Sequence, residues 1–137
     1  MKSYREVLFD EWNKKKINLD KMCPKNIKLG RIYWVSIGKN IGAEVYGKSA
    51  NFIRPVLVLK IFYLYGNTTF LGVPISSKVA SKSGFMFYKF KDTKERPQVA
   101  LLTQIRLFDT RRKVSEFDAN IKNNDFLALK EKIKDLF

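Results

Sequence analysis

Residues 53–59 read Ile-Arg-Pro-Val-Leu-Val-Leu, and no other stretch of the chain limits the fold as sharply. Four consecutive aliphatic residues, Val56 to Leu59, leave no polar face, which is the pattern of a strand covered on both sides. The strand starts where Pro55 is tolerated. Arg54 then stands at its mouth, with a guanidinium that can reach solvent or an anion. A second strand over residues 68–74 runs out into Ile75-Ser76-Ser77-Lys78, and Gly66-Asn67 between the two reads as a tight turn. If the strands pair as a hairpin, Arg54 and Ser76 fall at the same end of the sheet. An arginine and a hydroxyl converging there make a phosphate site. The plainer reading of the same residues is a surface arginine entering a strand and a serine-rich turn leaving one.

Around this pair the chain reads as short β elements closed by one helix. Residues 30–37 have strand composition, and 38–52 form a polar loop long enough to be functional or mobile. An aromatic strand is expected over 85–90, a charged turn over 91–97, and one long strand over 98–108 that presents Gln104 and Arg106. Asp109 to Lys113 read as a turn with three cations in a row, followed by a short strand at 114–117. A helix over 125–137, capped by Asn123 or Asn124, carries Phe126, Leu129, Ile133 and Leu136 on one face. At the other end, Ser3 and Glu6 form a capping box for a helix over 2–16 with Tyr4, Val7, Leu8 and Trp12 as its stripe. Residues 1–28 are therefore read as a helical extension and linker, and 29–137 as the main domain. The sum is a mainly β fold with a C-terminal helix, a small bent sheet or barrel.

Charge and residue types narrow the chemistry. The net charge is +14, and residues 1–28, with eight basic and four acidic side chains, leave +10 on the remainder. The folded part is itself basic and suits a polyanionic partner such as nucleic acid or an acidic protein. Histidine is absent, which removes His-based acid–base catalysis, a Ser-His-Asp triad and the usual zinc sites. Cys23 is the single cysteine, so no intramolecular disulfide forms, no thiolate cluster holds a metal, and a reducing cytoplasm is the expected location. No window is apolar enough for a membrane span or a signal peptide. No cofactor is implied.

Four segments, in this order and spacing, resemble the MazF/PemK (Kid) toxins of bacterial toxin–antitoxin systems. They are Gly30-Arg31-Ile32-Tyr33-Trp34-Val35; Gly42-Ala43-Glu44; Arg54-Pro55-Val56-Leu57-Val58 with Val73-Pro74-Ile75-Ser76; and Leu101-Leu102-Thr103-Gln104-Ile105-Arg106-Leu107-Phe108-Asp109 with Arg112. The resemblance covers 30–137. It implies an SH3-like barrel of the MazF/CcdB type and a homodimer. It also implies a metal-independent endoribonuclease for single-stranded RNA, usually messenger RNA, neutralised by an acidic antitoxin. Arg54 matches the catalytic arginine and Ser76 the catalytic hydroxyl. Glu44, Lys48, Ser77, Lys78, Gln104, Arg106 and Arg112 are the candidate RNA-binding residues. Serine replaces the threonine common at position 76. Leu101 and Thr103 stand where the Kid branch has an Arg and an Asp as proposed acid and base, so that form of the mechanism does not apply. No obvious general base remains among the matched residues apart from Glu44 in the loop, and catalysis can also lean on Arg54 alone.

Other readings stay open at this stage. A toxin of the same fold can poison a protein such as gyrase, as CcdB proteins do, and a non-catalytic RNA-binding module needs no general base. Gln104 and Arg106 can equally be polar residues closing a strand. Arg111, Arg112 and Lys113 can be a solvated turn or, with Lys78 and Lys82, a phosphate track. Phe85, Phe87, Tyr88 and Phe90 fit core or dimer interface more readily than base stacking.

Overall fold

A computed structural model describes residues 26–38 and 53–136. The expected helix over 2–16 and the candidates Glu44 and Lys48 lie outside the described residues. The elements are β1 (Ile32–Ser36), β2 (Ile53–Leu64), β3 (Asn67–Ser76), β4 (Phe87–Lys91), β5 (Pro97–Leu101), β6 (Arg106–Asp109), β7 (Lys113–Glu116) and α1 (Asn123–Leu136). Two single 3-10 turns, Leu102–Gln104 and Thr110–Arg112, flank β6. Every pairing is antiparallel, in the order β4-β5-β3-β2-β1-β7 with β6 also on β3. The result is a small, barrel-like antiparallel sheet with one α-helix among the described residues.

The central hairpin turns one residue earlier than its sequence suggests. Leu64 already pairs with Asn67, so the loop is Tyr65-Gly66, with φ of 52° and 77°. A two-residue loop whose backbone is left-handed at both positions matches the twist of the flanking strands. Glycine takes that conformation freely, whereas Tyr65 does so against its Cβ while its ring stays in solvent. Asn67 is therefore the first residue of β3 and not part of the turn.

A larger correction concerns residues 98–108, which form two strands rather than one. β3 pairs with β6 over Thr69–Gly72 and with β5 at Ile75 and Ser76. Both partners use the same edge of β3, so the chain must break direction between them, and the Leu102–Gln104 turn does this. Leu102 fills the core and its N–H donates to Met86 O at 3.1 Å. Pro74, which has no N–H, sits where β3 passes from one partner to the other. The aromatic strand also starts later than expected, at Phe87, with Phe85 left 69 % exposed.

Residue alternation divides the core in two. Ile32, Leu57, Val73, Ile75, Phe90, Ala100 and Leu102 face α1, where Phe126 and Leu129 complete the cluster. Tyr33, Val35, Ile37, Val56, Val58, Phe70 and Phe108 form the other face. The run Val56–Leu59 supplies both, as its unbroken hydrophobicity requires. On that second face Gly72 has no room for a side chain. A Cβ there would lie 2.4 Å from Val56 Cγ1 and 3.1 Å from Phe108 Cδ2. Gly72→Ala is expected to lower stability by about 1–3 kcal/mol or more through overpacking. An unchanged urea midpoint would show that Val56 gives way freely.

Helix α1 begins two residues before its expected start. Its first backbone bond runs from Phe126 N to Lys122 O (2.9 Å), so Asn123 and Asn124 lie in the first turn and neither caps it. Two polar ties hold it to β4: Tyr88 Oη donates to Asp125 Oδ1 at 2.9 Å, and Lys132 Nζ to Phe87 O at 2.7 Å. Burial, then the bond to Asp125 and its charge, push the Tyr88 pKa up to about 12.

Candidate functional site

Two imino acids set the end of the sheet where the candidate residues meet. Gly30 N donates to Val58 O and Val58 N to Arg31 O, so alternate residues of β2, including Val56 and Arg54, turn their polar groups to β1. The missing donor of Pro55 therefore faces β3, and there the β2–β3 ladder has already ended at Val56↔Pro74. The strand loses no ladder bond to Pro55.

Arg54 and Ser76 each lie two residues beyond that last pair, and strand alternation turns both to the face of the second cluster, while Ser76 itself pairs with Val99 of β5. Arg54 is paired with Val35 of β1 and is only 7 % exposed. Burial lowers the pKa of its guanidinium from the ordinary value, although an arginine starts high enough to stay charged at neutral pH. Ser76 is 2 % exposed, with its Oγ accepting from Lys78 N at 3.2 Å. This bond closes a turn in which Lys82 Nζ also donates to Lys78 O. The hydroxyl of Ser76 keeps its own hydrogen for donation.

Further cations collect on the same face. Arg106 is opposite Gly72 and lies with its guanidinium carbon 4.7 Å from the centre of the Phe108 ring. Arg112 Nη1 donates to Ser36 O at 3.1 Å, at the end of β1 beside Ile53 and Arg54. Lys113 pairs with Val35 and sits 4.7 Å over the Tyr33 ring. Asp109 does not cancel this charge, because its carboxylate accepts from Arg111 N, Nε and Nη2 and caps the Thr110–Arg112 turn. Those bonds to Arg111 hold the Asp109 carboxyl below the usual range despite some burial. The Arg-Arg-Lys run is thus a sorted set: Arg111 neutralises Asp109 while Arg112 and Lys113 are turned back to the sheet.

The remaining candidates are more scattered. Ser77 and Lys78 are exposed and follow Ser76 directly. Gln104 ends the 3-10 turn beside β3, half-buried, with Nε2 3.4 Å from Thr103 Oγ1.

Sequence reading missed a cleft of about 380 Å3 on the opposite, helix-facing side of the sheet end. Its apolar lining includes Trp34, Pro55, Ile75 and Phe117, and its polar lining Ser77, Arg96 and Gln98. The Trp34 and Phe117 rings lie 5.4 Å apart at 58°. Beneath it, Asp92 is completely buried and accepts from Lys94 N, Arg96 N, Arg96 Nε and Gln98 Nε2. Arg96 also forks onto Asp118 at 2.7 and 3.1 Å. The spacing Asp92, Arg96, Gln98 in what reads as a charged turn was the one available signal, an aspartate placed to accept from backbone further along. Among the described residues no helix is long and apolar enough to cross a membrane, and no group of three or more His, Cys, Asp or Glu could hold a metal.

Fold and site together define a small barrel-like β protein whose central hairpin gathers cations at one end of one face. A model of the family described as PemK-like, MazF-like toxin of type II toxin–antitoxin systems matches residues 28–137, and the chain belongs to that family. It is a toxin of a type II system, which implies an antitoxin partner. Comparison with curated proteins gives no match.

Proposed function

We propose that this toxin is an endoribonuclease that cuts single-stranded RNA, messenger RNA above all, without a metal ion. The observation that carries the reading is that Arg54 and Ser76, both buried, each stand two residues beyond the last β2–β3 pair, Val56↔Pro74, with Arg106 and Arg112 on the same face. In the reaction the ribose 2′-oxygen bonds to the adjacent phosphorus and the bond from phosphorus to the 5′-oxygen breaks. The 2′ proton leaves to a base and the departing 5′-oxygen gains one, so the products are a 2′,3′-cyclic phosphate and a 5′-OH. Arg54 neutralises charge building on the phosphoryl oxygens and assists proton transfer to the leaving oxygen. Ser76 donates to the same phosphoryl group. Glu44 takes the role of base, and Lys48, Ser77, Lys78, Gln104, Arg106 and Arg112 contact the strand.

The same reading makes the toxin a cytoplasmic homodimer. Its antitoxin is acidic and covers the basic face. The main domain spans 29–137, with 1–28 an extension.

Purified protein and end-labelled RNA test this directly. Cleavage is expected to leave 5′-OH ends and to persist in EDTA, because the proposed step uses Arg54 and Ser76 and no metal ion, and no group of three or more Asp, Glu, His or Cys among the described residues could hold one. Loss of cleavage on chelation would overturn the mechanism. Ser76→Ala is expected to lower kcat by roughly a hundred- to a thousandfold with little change in KM. Growth arrest without new RNA ends would instead point to a protein target, and binding without cutting to a non-catalytic module.

A further inference from the structure

The Trp34 cleft adjoins the reaction site through the chain itself. Pro55 and Ser77 line it, and they are the immediate neighbours of Arg54 and Ser76. Strand alternation turns Arg54 and Ser76 to one face of the sheet and Pro55 and Ile75 to the other. A strand of RNA with its phosphate at Arg54 would cross the end of β2 and β3 and bring the next nucleotide over this cleft.

The lining then says what kind of group it takes. Gln98 is oriented by Asp92, because a carboxylate can only accept, so Nε2 faces Asp92 and Oε1 is left as an acceptor. No hydrogen bond to that oxygen is formed among the described residues. Arg96 has its charge met by Asp92 and Asp118, so the cleft, unlike the opposite face, offers no net charge for a phosphate. Tilted aromatic walls, one acceptor and charge balance fit a flat, neutral group with an N–H edge. At about 380 Å3 the space lies near the lower end of small-ligand sites, roughly 300–1,000 Å3.

We infer that the cleft holds the unpaired base of the nucleotide next to the scissile phosphate, stacked at Trp34 and Phe117 and hydrogen-bonded to Gln98 Oε1. The inference rests on the ribonuclease reading of Arg54 and Ser76. Adenine and cytosine present amino groups to such an acceptor. Uracil flanks its only N–H with carbonyl oxygens, which the Gln98 oxygen and the Asp92 carboxylate repel. The cleft therefore selects amino-bearing bases, and Gln98 is a specificity-determining residue.

The test uses the full chain with Trp12→Phe, which leaves Trp34 as the single tryptophan of the two. The probes are 2′-O-methyl oligo(A), oligo(C) and oligo(U) of equal length, which lack the attacking hydroxyl and stay intact. Binding is followed by anisotropy of a label on the oligonucleotide and by Trp34 emission. Oligo(A) and oligo(C) are expected to alter Trp34 emission and to bind roughly five- to a hundredfold more tightly than oligo(U). Gln98→Leu is expected to erase that ranking. Binding that leaves Trp34 emission unchanged, or equal affinity for all three, would overturn the inference while leaving the nuclease standing. A response of Trp34 to an acidic peptide alone would overturn it in favour of a protein occupant. Failure of every oligonucleotide to bind would overturn the ribonuclease reading and this inference with it.

Discussion

Arg54→Ala is expected to abolish growth arrest on induced expression and to remove every new 5′-OH end from the RNA of the host. The physical basis is the loss of a preorganised cation where charge develops in the transition state, an effect of roughly a hundred- to a thousandfold or more in rate. Because the side chain is buried, alanine also leaves a gap on that face of the sheet. Arg54→Met keeps most of the stem and removes only the charge, so it separates chemistry from packing. Both variants are expected to lose activity, with the methionine variant closer to the parent in urea midpoint. Arg54→Lys keeps a charge without the planar fork and is expected to retain a small fraction of activity. Full toxicity in Arg54→Met would remove Arg54 from the reaction.

Asp92→Ala is expected to cost more stability than any other proposed substitution. Four donors converge on this carboxylate, two from backbone and two from the side chains of Arg96 and Gln98, and truncation leaves them without an acceptor. Breaking a buried charged network of this kind costs about 3–5 kcal/mol. Burial by itself raises the Asp92 pKa, but the bonds from Gln98, Arg96 and Lys94 and the charge of Arg96 together hold it below the usual carboxylate value. A carboxyl depressed in the folded state stabilises the fold fully above its unfolded pKa, about 4, and loses that contribution as pH falls through the lower folded value. The parent should therefore lose urea resistance below about pH 4 more steeply than Asp92→Ala does. Parallel pH profiles would show that the carboxylate charge contributes nothing. The variant should also disturb the Trp34 cleft, since Gln98 loses the partner that orients it.

The central strand was legible because its residues leave little choice. An unbroken aliphatic run behind Arg-Pro has to be buried on both faces, and Val56–Leu59 are. The hairpin of β2 and β3 was legible as well, and with it the expectation that Arg54 and Ser76 fall at the same end of the sheet. The helix stripe of Phe126, Leu129, Ile133 and Leu136 was legible for the same kind of reason at period 3.6. Local pattern failed where a long-range partner decides the outcome. Residues 98–108 are apolar enough for one strand, yet β3 offers one edge to two partners and forces the break at Leu102. Loop length set the turn at Tyr65-Gly66, overriding the stronger Gly-Asn signal one residue on.

The sequence by itself determined the β class, the buried central strand, the basic balance and the Arg54–Ser76 candidates. Each follows from residue type and short-range period, which operate without knowledge of distant partners. Only the tertiary structure decided that Asp109 neutralises Arg111 while Arg112 reaches Ser36, and that Trp34, Gln98 and Phe117 from three separate segments enclose one cleft. Those arrangements depend on strand register and on which donors meet a carboxylate, and neither is set until the sheet has closed.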